Sequence, residues 1–259
     1  MIHLMSFNIR YGTAEDGDQR WERRRSLALD RIRQFDPDLL GLQECRDDTQ
    51  AEYVQSQLKE YEFFGVPRGG DGSTALEMAP ILFKKTVFQP IQQGVYWLSE
   101  TPHVAGSKSW ESIFPRTAVW VELLHRPTGR SLIFLNTHFD YQMPAIERSA
   151  SLLRRWLDDV LVKHPLVVTG DFNADKDSQA YQHLTGTSSL VDVLKAVQQE
   201  DGNEGTFHGY GQVLRPIDWI LVSRHFKVKH ARVDRFKAGS LYPSDHYPIT
   251  ALLEWNEQP

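Results

Sequence analysis

"VVTGDFNADKDSQAYQHL", residues 167–184, begins as a buried-looking strand and breaks into Gly170-Asp171-Phe172-Asn173 before "DSQAYQHL" opens a helix capped by Asp177 or Ser178. Extended backbone presents alternate residues to opposite sides. On that geometry Asp171 and Asn173 share one side, and Phe172 turns to the core. A strand that ends by aiming an acid and an amide at one place is the arrangement by which α/β sheets build sites at strand ends.

The same pattern recurs along the chain. "MSFN" ends an apolar run on Asn8, "LLGLQE" on Glu44 and "IFLNTH" on His138. Asp218 opens "DWILVS", and Asp245 and His246 stand just ahead of "ITALLEW". Six apolar strands that each carry an acid, amide or imidazole at one end imply a common rim. Helices are expected over 21–35, about 48–59 and 145–162, with Leu152, Leu153, Trp156, Leu157 and Val160 on one face of the last. Strands alternating with helices, without a glycine-rich nucleotide loop, exclude an all-β sandwich and point to mixed α/β layers.

Composition narrows the classes. No window reaches the ~18 to 20 continuous apolar residues of a membrane span, and "MIHLMSFNIRYG" has neither a basic leader nor a cleavable apolar core, so a cytoplasmic location is expected. The single cysteine, Cys45, excludes an internal disulfide framework. A net charge of −5 argues against tight sequence-independent binding of nucleic acid through the average field, although a local basic group can still serve a nuclease. Arg20, Arg23, Arg24, Arg25, Arg31 and Arg33 surround helix 21–35, and most of them are expected to be solvated.

Carboxylates and amides converging from several strands are hard oxygen ligands, suited to Mg²⁺ or Mn²⁺ rather than to zinc. Magnesium shares its coordination sphere with substrate phosphate oxygens, which favours phosphoryl chemistry. Histidines on separate strands supply donors to phosphate when a carboxylate fixes their tautomer. No GxSxG motif offers a competing nucleophile.

"SFNIRYG", "LQE", "NTHFD", "GDFNAD", "IDWILVS" and "SDHYPI", in that order from residue 3 to about residue 255, resemble the endonuclease/exonuclease/phosphatase superfamily. Within it the chain is most similar to bacterial members of unassigned substrate and to the deadenylase-like branch. The resemblance implies one domain over 1–259 with an α/β (α+β) four-layer αββα sandwich, two mixed sheets face to face and helices outside. It implies a metal-dependent phosphoric ester hydrolase working by in-line attack of activated water. Glu44 resembles the principal metal ligand, with Asn8 and Asp245 beside it. Asp171 resembles the residue that activates the water, Asn173 the amide that orients it, and His246 the histidine on the scissile phosphate, held by Asp218. His138 resembles a second histidine whose partner is expected to be Glu77.

Arg116 in "FPRTAVWVEL" is similar to an arginine that binds phosphate, with a structural salt bridge as the alternative. Arg10 and Asp140 lie two residues beyond Asn8 and His138, so extended backbone would aim them at the same rim, with a loop cap as the alternative for Asp140. Trp21, Trp110, His208 and Tyr210 are candidates for the substrate groove, with packing as the alternative. A phosphodiester, in a nucleic acid, a lipid or a small molecule, is the leading substrate class, and a sugar or inositol phosphomonoester is the second. A monomer is expected.

Overall fold

Strand alternation divides the apolar side chains into three separate cores, and that division builds the architecture. The computed structural model describes residues 1–70, 73–161, 163–186, 190–197 and 205–257. In chain order the elements are β1 (Ile2–Asn8), α1 (Trp21–Phe35), β2 (Leu39–Gln43), β3 (Cys45–Arg46), α2 (Thr49–Gln57), β4 (Tyr61–Phe64), β5 (Glu77–Met78), β6 (Ile81–Lys84), β7 (Phe88–Trp97), β8 (Thr117–His125) and β9 (Arg130–His138). There follow α3 (Met143–Leu161), β10 (Leu166–Asp171), α4 (Gln179–Thr185), β11 (Leu190–Asp192), α5 (Val193–Ala196), β12 (Asp218–Ser223), β13 (Phe226–Val233) and β14 (Ile249–Trp255). Residue 162, the last of the helix expected over 145–162, lies outside the described residues. Asp48 caps α2 by accepting from the Gln50 N–H, and Ser178 caps α4 by accepting from Tyr181.

One six-stranded sheet has the order β13-β14-β1-β2-β6-β4, and the other β11-β12-β10-β9-β8-β7. Both are mixed: β1 is parallel to β2 and antiparallel to β14, and β10 is parallel to β9 and antiparallel to β12. Ile2 and Leu4 of β1 meet Phe134 of β9, Val167 of β10 and Ile220 of β12 between the sheets. Met5 and Phe7 point the other way, into a core with Leu29 and Ile32 of α1 and Val54 of α2. Leu135, Val168 and Trp219 pack with Leu153 and Leu157 of α3 and Leu184 of α4. Helices, sheet, sheet and helices are therefore stacked in the four layers that the motif order implied. No helix among the described residues is long and apolar enough to cross a membrane.

At one end of the inter-sheet layer the apolar filling gives way to buried polar side chains. Gln43 Nε2 donates to Asn136 Oδ1 at 2.7 Å, Thr169 Oγ1 donates to the same oxygen at 2.9 Å, and Asn136 Nδ2 donates to the carbonyl of Leu42 at 2.6 Å. These bonds tie one sheet to the other, and buried polar groups satisfied in this way fix a single arrangement. Gly41 lies at the closest approach, where a Cβ would sit 2.6 Å from Asn136 Oδ1 and closer still to Thr169 Oγ1. Gly41→Ala is expected to cost about 1–3 kcal/mol by forcing the sheets apart, read as a lower midpoint in denaturant unfolding. An unchanged midpoint would show that the layer relaxes freely.

Candidate active site

The parity that places Val167 in the inter-sheet core continues through Thr169 to Asp171, so the acid emerges between the sheets. Asp171 pairs with His138 on β9 and with Asp218 on β12, which sets three polar residues in one row across one sheet. Across the gap, Asn8 pairs with Gln43, and Glu44 leaves β2 with a left-handed φ of 59° that turns its carboxylate inward. His246, just ahead of β14, is placed by backbone bridging to Phe207 and by its ring against that phenyl at 4.9 Å. Glu44, Asp171 and His246 each offer one ligand atom within 4.8 Å of the others.

One oxygen organises the site. Asp171 Oδ2 accepts from Asn8 Nδ2 at 3.0 Å and lies 3.6 Å from His138 Nε2 and 3.7 Å from His246 Nε2. Burial pushes the Asp171 carboxyl up to about 7, helped by the charge of Asp218 and opposed by His246. His246 Nδ1 lies 2.8 Å from Asp218 Oδ2. Burial pulls that imidazole down, but Asp218, Asp171 and Asp245 outweigh it and hold it at about 10, as an imidazolium. His138 goes the other way. Burial and the cations Arg116, Arg68 and His246 keep it well below the ordinary histidine value and neutral.

Several expectations change in detail. Asn173 does not continue the strand: its φ is 49°, its N–H donates to Asp171 Oδ1 at 2.9 Å, and its side-chain amide donates to the Phe139 carbonyl at 2.9 Å. It holds the acid from behind, and Phe172 does turn to the core, stacked on Trp219 at 4.2 Å. Asn8 accepts the Arg10 N–H at its oxygen and points its NH₂ at Glu44 and Asp171, so it bridges the two acids. Glu77 does not partner His138. Both its oxygens are taken by Arg68, at 3.0 and 2.8 Å.

Arg10 reaches the rim from a left-handed φ of 55°, not from extended backbone. It hydrogen-bonds Asp16 and lies 3.6 Å from Asp245 and 3.9 Å from Glu44. Asp140 caps the loop by accepting from Phe114 and Gln142, and it lies 3.7 Å from Arg116 Nε. His208 is buried and stacked on Tyr247 at 3.9 Å, and Trp21 packs edge-on to Tyr53. Trp110 lines a different cavity, of about 650 Å³, with Glu100, Arg148, Arg155 and His183. Tyr210 donates its hydroxyl to Asp16.

Two buried arginines near the site carried no sequence signal strong enough to find them. Arg68 follows Pro67 in a loop and belongs to none of the recognised motifs, so only the structure brings it to Glu77 and Arg116. Arg24 reads as one of a run of surface arginines on α1, yet it is fully buried.

The sequence and structure have relatives. The model of the Endonuclease/Exonuclease/phosphatase family matches residues 5–246. The structure is similar to that of a mannosyl-6-phosphatase from Bacteroides thetaiotaomicron, with a TM-score of 0.89 at 28% identity, covering 98% of this chain and 100% of that one. The uncharacterized protein L388 of Acanthamoeba polyphaga mimivirus is 28% identical over 91% of this chain and 92% of its own length. Nocturnin of Rattus norvegicus is 24% identical over 93% of this chain, which spans 60% of that longer protein. Nucleases and phosphatases differ in substrate but break the same kind of bond, the phosphoester, and an acid, two histidines and arginines between two sheets suit that bond. The chain belongs to the endonuclease/exonuclease/phosphatase family.

Proposed function

We propose that the protein hydrolyses a phosphate ester by in-line attack of water, with a divalent cation, Mg²⁺ or Mn²⁺, held at Glu44. The observation that carries this reading is the convergence of Asn8, His138 and His246 on one oxygen of a buried Asp171. A carboxylate whose basicity is raised toward neutrality is suited to take a proton from water. Asn173 fixes that carboxylate through its N–H, and Asn8 steadies the oxygen that faces the histidines. His246, locked by Asp218, directs Nε2–H at a phosphoryl oxygen. His138 adds an uncharged donor from the neighbouring strand.

The donor set fits a hard cation. Glu44, Asp171 and Asp245 are buried carboxylates, and burial pushes both Asp171 and Asp245 upward, a desolvation cost that a bound cation would relieve. Oxygen ligands of this kind suit Mg²⁺ or Mn²⁺. When bound, the ion neutralises charge on the phosphoryl and leaving oxygens.

Diester and monoester substrates both satisfy this chemistry. The leading reading from sequence is a diester, and the similarity to a mannosyl-6-phosphatase supports a sugar phosphate. Bis-p-nitrophenyl phosphate and p-nitrophenyl phosphate, each assayed with Mg²⁺, Mn²⁺ and EDTA, test the reading. Hydrolysis is expected only with metal, and activity that survives thorough chelation would overturn the role given to the cation.

A further inference from the structure

Beside Asp171 is a small cavity of about 10 Å³, lined by Arg68, Glu77, Met78, Arg116, Thr117 and His138. Arg68 and Arg116 are 8% and 3% exposed, yet among the described residues Arg68 Nε, Arg116 Nε and Arg116 Nη2 make no hydrogen bond, Arg116 Nε having only Asp140 Oδ2 at 3.7 Å. Buried N–H groups are nearly always paired, and leaving a charged one unpaired is costly. Three such atoms, on two residues that line one cavity, call for an acceptor that enters it. The two cations also disfavour each other: burial lowers the pKa of Arg68, and the charge of Arg116 lowers it further. An anion between them removes that repulsion.

The cavity sets the size of what enters. About 10 Å³ is close to the smallest space that holds one water, which is room for one oxygen atom and not for an ester chain. The Arg68–Glu77 pair closes one wall, and the Phe114 ring lies 4.1 Å from the Arg68 guanidinium and 5.5 Å from that of Arg116. Glu77, holding Arg68 by both oxygens, leaves the Nε edge of the fork free.

We propose that Arg68 and Arg116 form a two-guanidinium seat for a terminal phosphate oxygen, and that this seat makes the enzyme select phosphomonoesters over phosphodiesters. The proposal rests on the phosphoester-hydrolase reading of the neighbouring acid and histidines. A phosphomonoester presents three terminal oxygens, so one enters the seat while the others face His138 and His246. A diester has two terminal oxygens and carries a chain at the third equatorial position, beside a site walled on the arginine side. Arg68 is then a specificity-determining residue, and Glu77 positions it.

The test compares Arg68→Met and Arg68→Lys with the unmodified protein on p-nitrophenyl phosphate and bis-p-nitrophenyl phosphate, with inorganic phosphate as inhibitor. Loss of one charge-assisted contact predicts a fall of roughly 10- to 100-fold in kcat/KM on the monoester for Arg68→Met. The fall on the diester is smaller, and inhibition by inorganic phosphate weakens in step with the monoester loss. Arg68→Lys, which keeps the charge without the fork, lies between. An unchanged monoester-to-diester ratio, or phosphate inhibition that does not move in either variant, overturns the seat.

Failure of the underlying hydrolase reading is distinguishable, because it shows as no activity on either ester in the unmodified protein. Calorimetric titration with inorganic phosphate then decides: binding that Arg68→Lys weakens supports the seat, and binding that is absent or unaffected overturns it. Melting temperatures of both variants accompany the assays. If Arg68→Met does not fold, Arg68→Lys alone decides.

Discussion

Asp171→Asn is expected to lower turnover by about 10³-fold, within the range assigned to a positioned proton acceptor, while leaving the fold as stable as before. The two halves of this prediction have one cause. Burial and the charge of Asp218 raise the Asp171 carboxyl, which means that the folded protein disfavours the ionised form. Removing the charge relieves a disfavoured buried carboxylate, which offsets the loss of the Asn8 hydrogen bond at Oδ2 and of the attraction to His246. An asparagine keeps the shape and keeps an oxygen for the Asn173 N–H that Asp171 Oδ1 now accepts. What it loses is the ability to take a proton from water between His138 and His246. Steady-state kinetics with saturating Mg²⁺, paired with a thermal melt, check both halves. A variant that hydrolysed the ester at the normal rate would remove Asp171 from the water-handling role, and one that failed to fold would show its charge to be structural.

How much of this was legible in the sequence follows burial. Each of the six apolar strands named from the sequence is present, and within the two large sheets the four outer strands, β4, β7, β11 and β13, left no such run. Outer strands face solvent along one edge and carry polar residues and proline as protection against further pairing. β7, "FQPIQQGVYW", has Pro90 and three glutamines, and β13, "FKVKHARV", alternates with charges. A search for hydrophobic runs passes over such segments. Gly41, inside "LLGLQ", did carry a readable sign, since a glycine within a strand marks a close approach of another backbone.

The site was legible where strand parity governs it and obscure where turns do. His138, Asp171 and Asp218 are strand residues, and their convergence follows from period-two alternation. Asn173, Arg10 and Glu44 all take left-handed φ values. Asparagine visits that region with little strain, so "GDFN" allows a turn as readily as one more extended residue, and spacing alone cannot choose. Glu77 shows a different limit. Which of two nearby groups, His138 or Arg68, captures its carboxylate depends on residues 65–70 and 73–76, which have no regular structure.

Arg24→Met is expected to destabilise the protein by about 3–5 kcal/mol, the scale on which a buried, fully bonded charge is missed by its partners. Its guanidinium is inaccessible and donates to four main-chain carbonyls: Gln19 at 2.9 Å, Ile9 at 2.6 Å, Arg10 at 2.9 Å and Pro243 at 3.1 Å. Methionine fills much of the volume and satisfies none of these acceptors. Lysine presents a point charge with no planar fork, so Arg24→Lys recovers only part of the loss. For a chain of this length the methionine variant implies a fall in melting temperature on the order of 10 °C.

The same four bonds have a second consequence. Ile9 and Arg10 follow Asn8, and Pro243 precedes Asp245 and His246 by two and three residues, so Arg24 joins the loops that carry one wall of the site to those that carry the other. Divalent-metal affinity, measured by calorimetry well below the melting temperature, is therefore expected to fall in Arg24→Met together with stability. An unchanged melting temperature would mean that solvent satisfies the four carbonyls. A lower one with metal affinity intact would mean that Arg24 supports the fold without aligning the two walls.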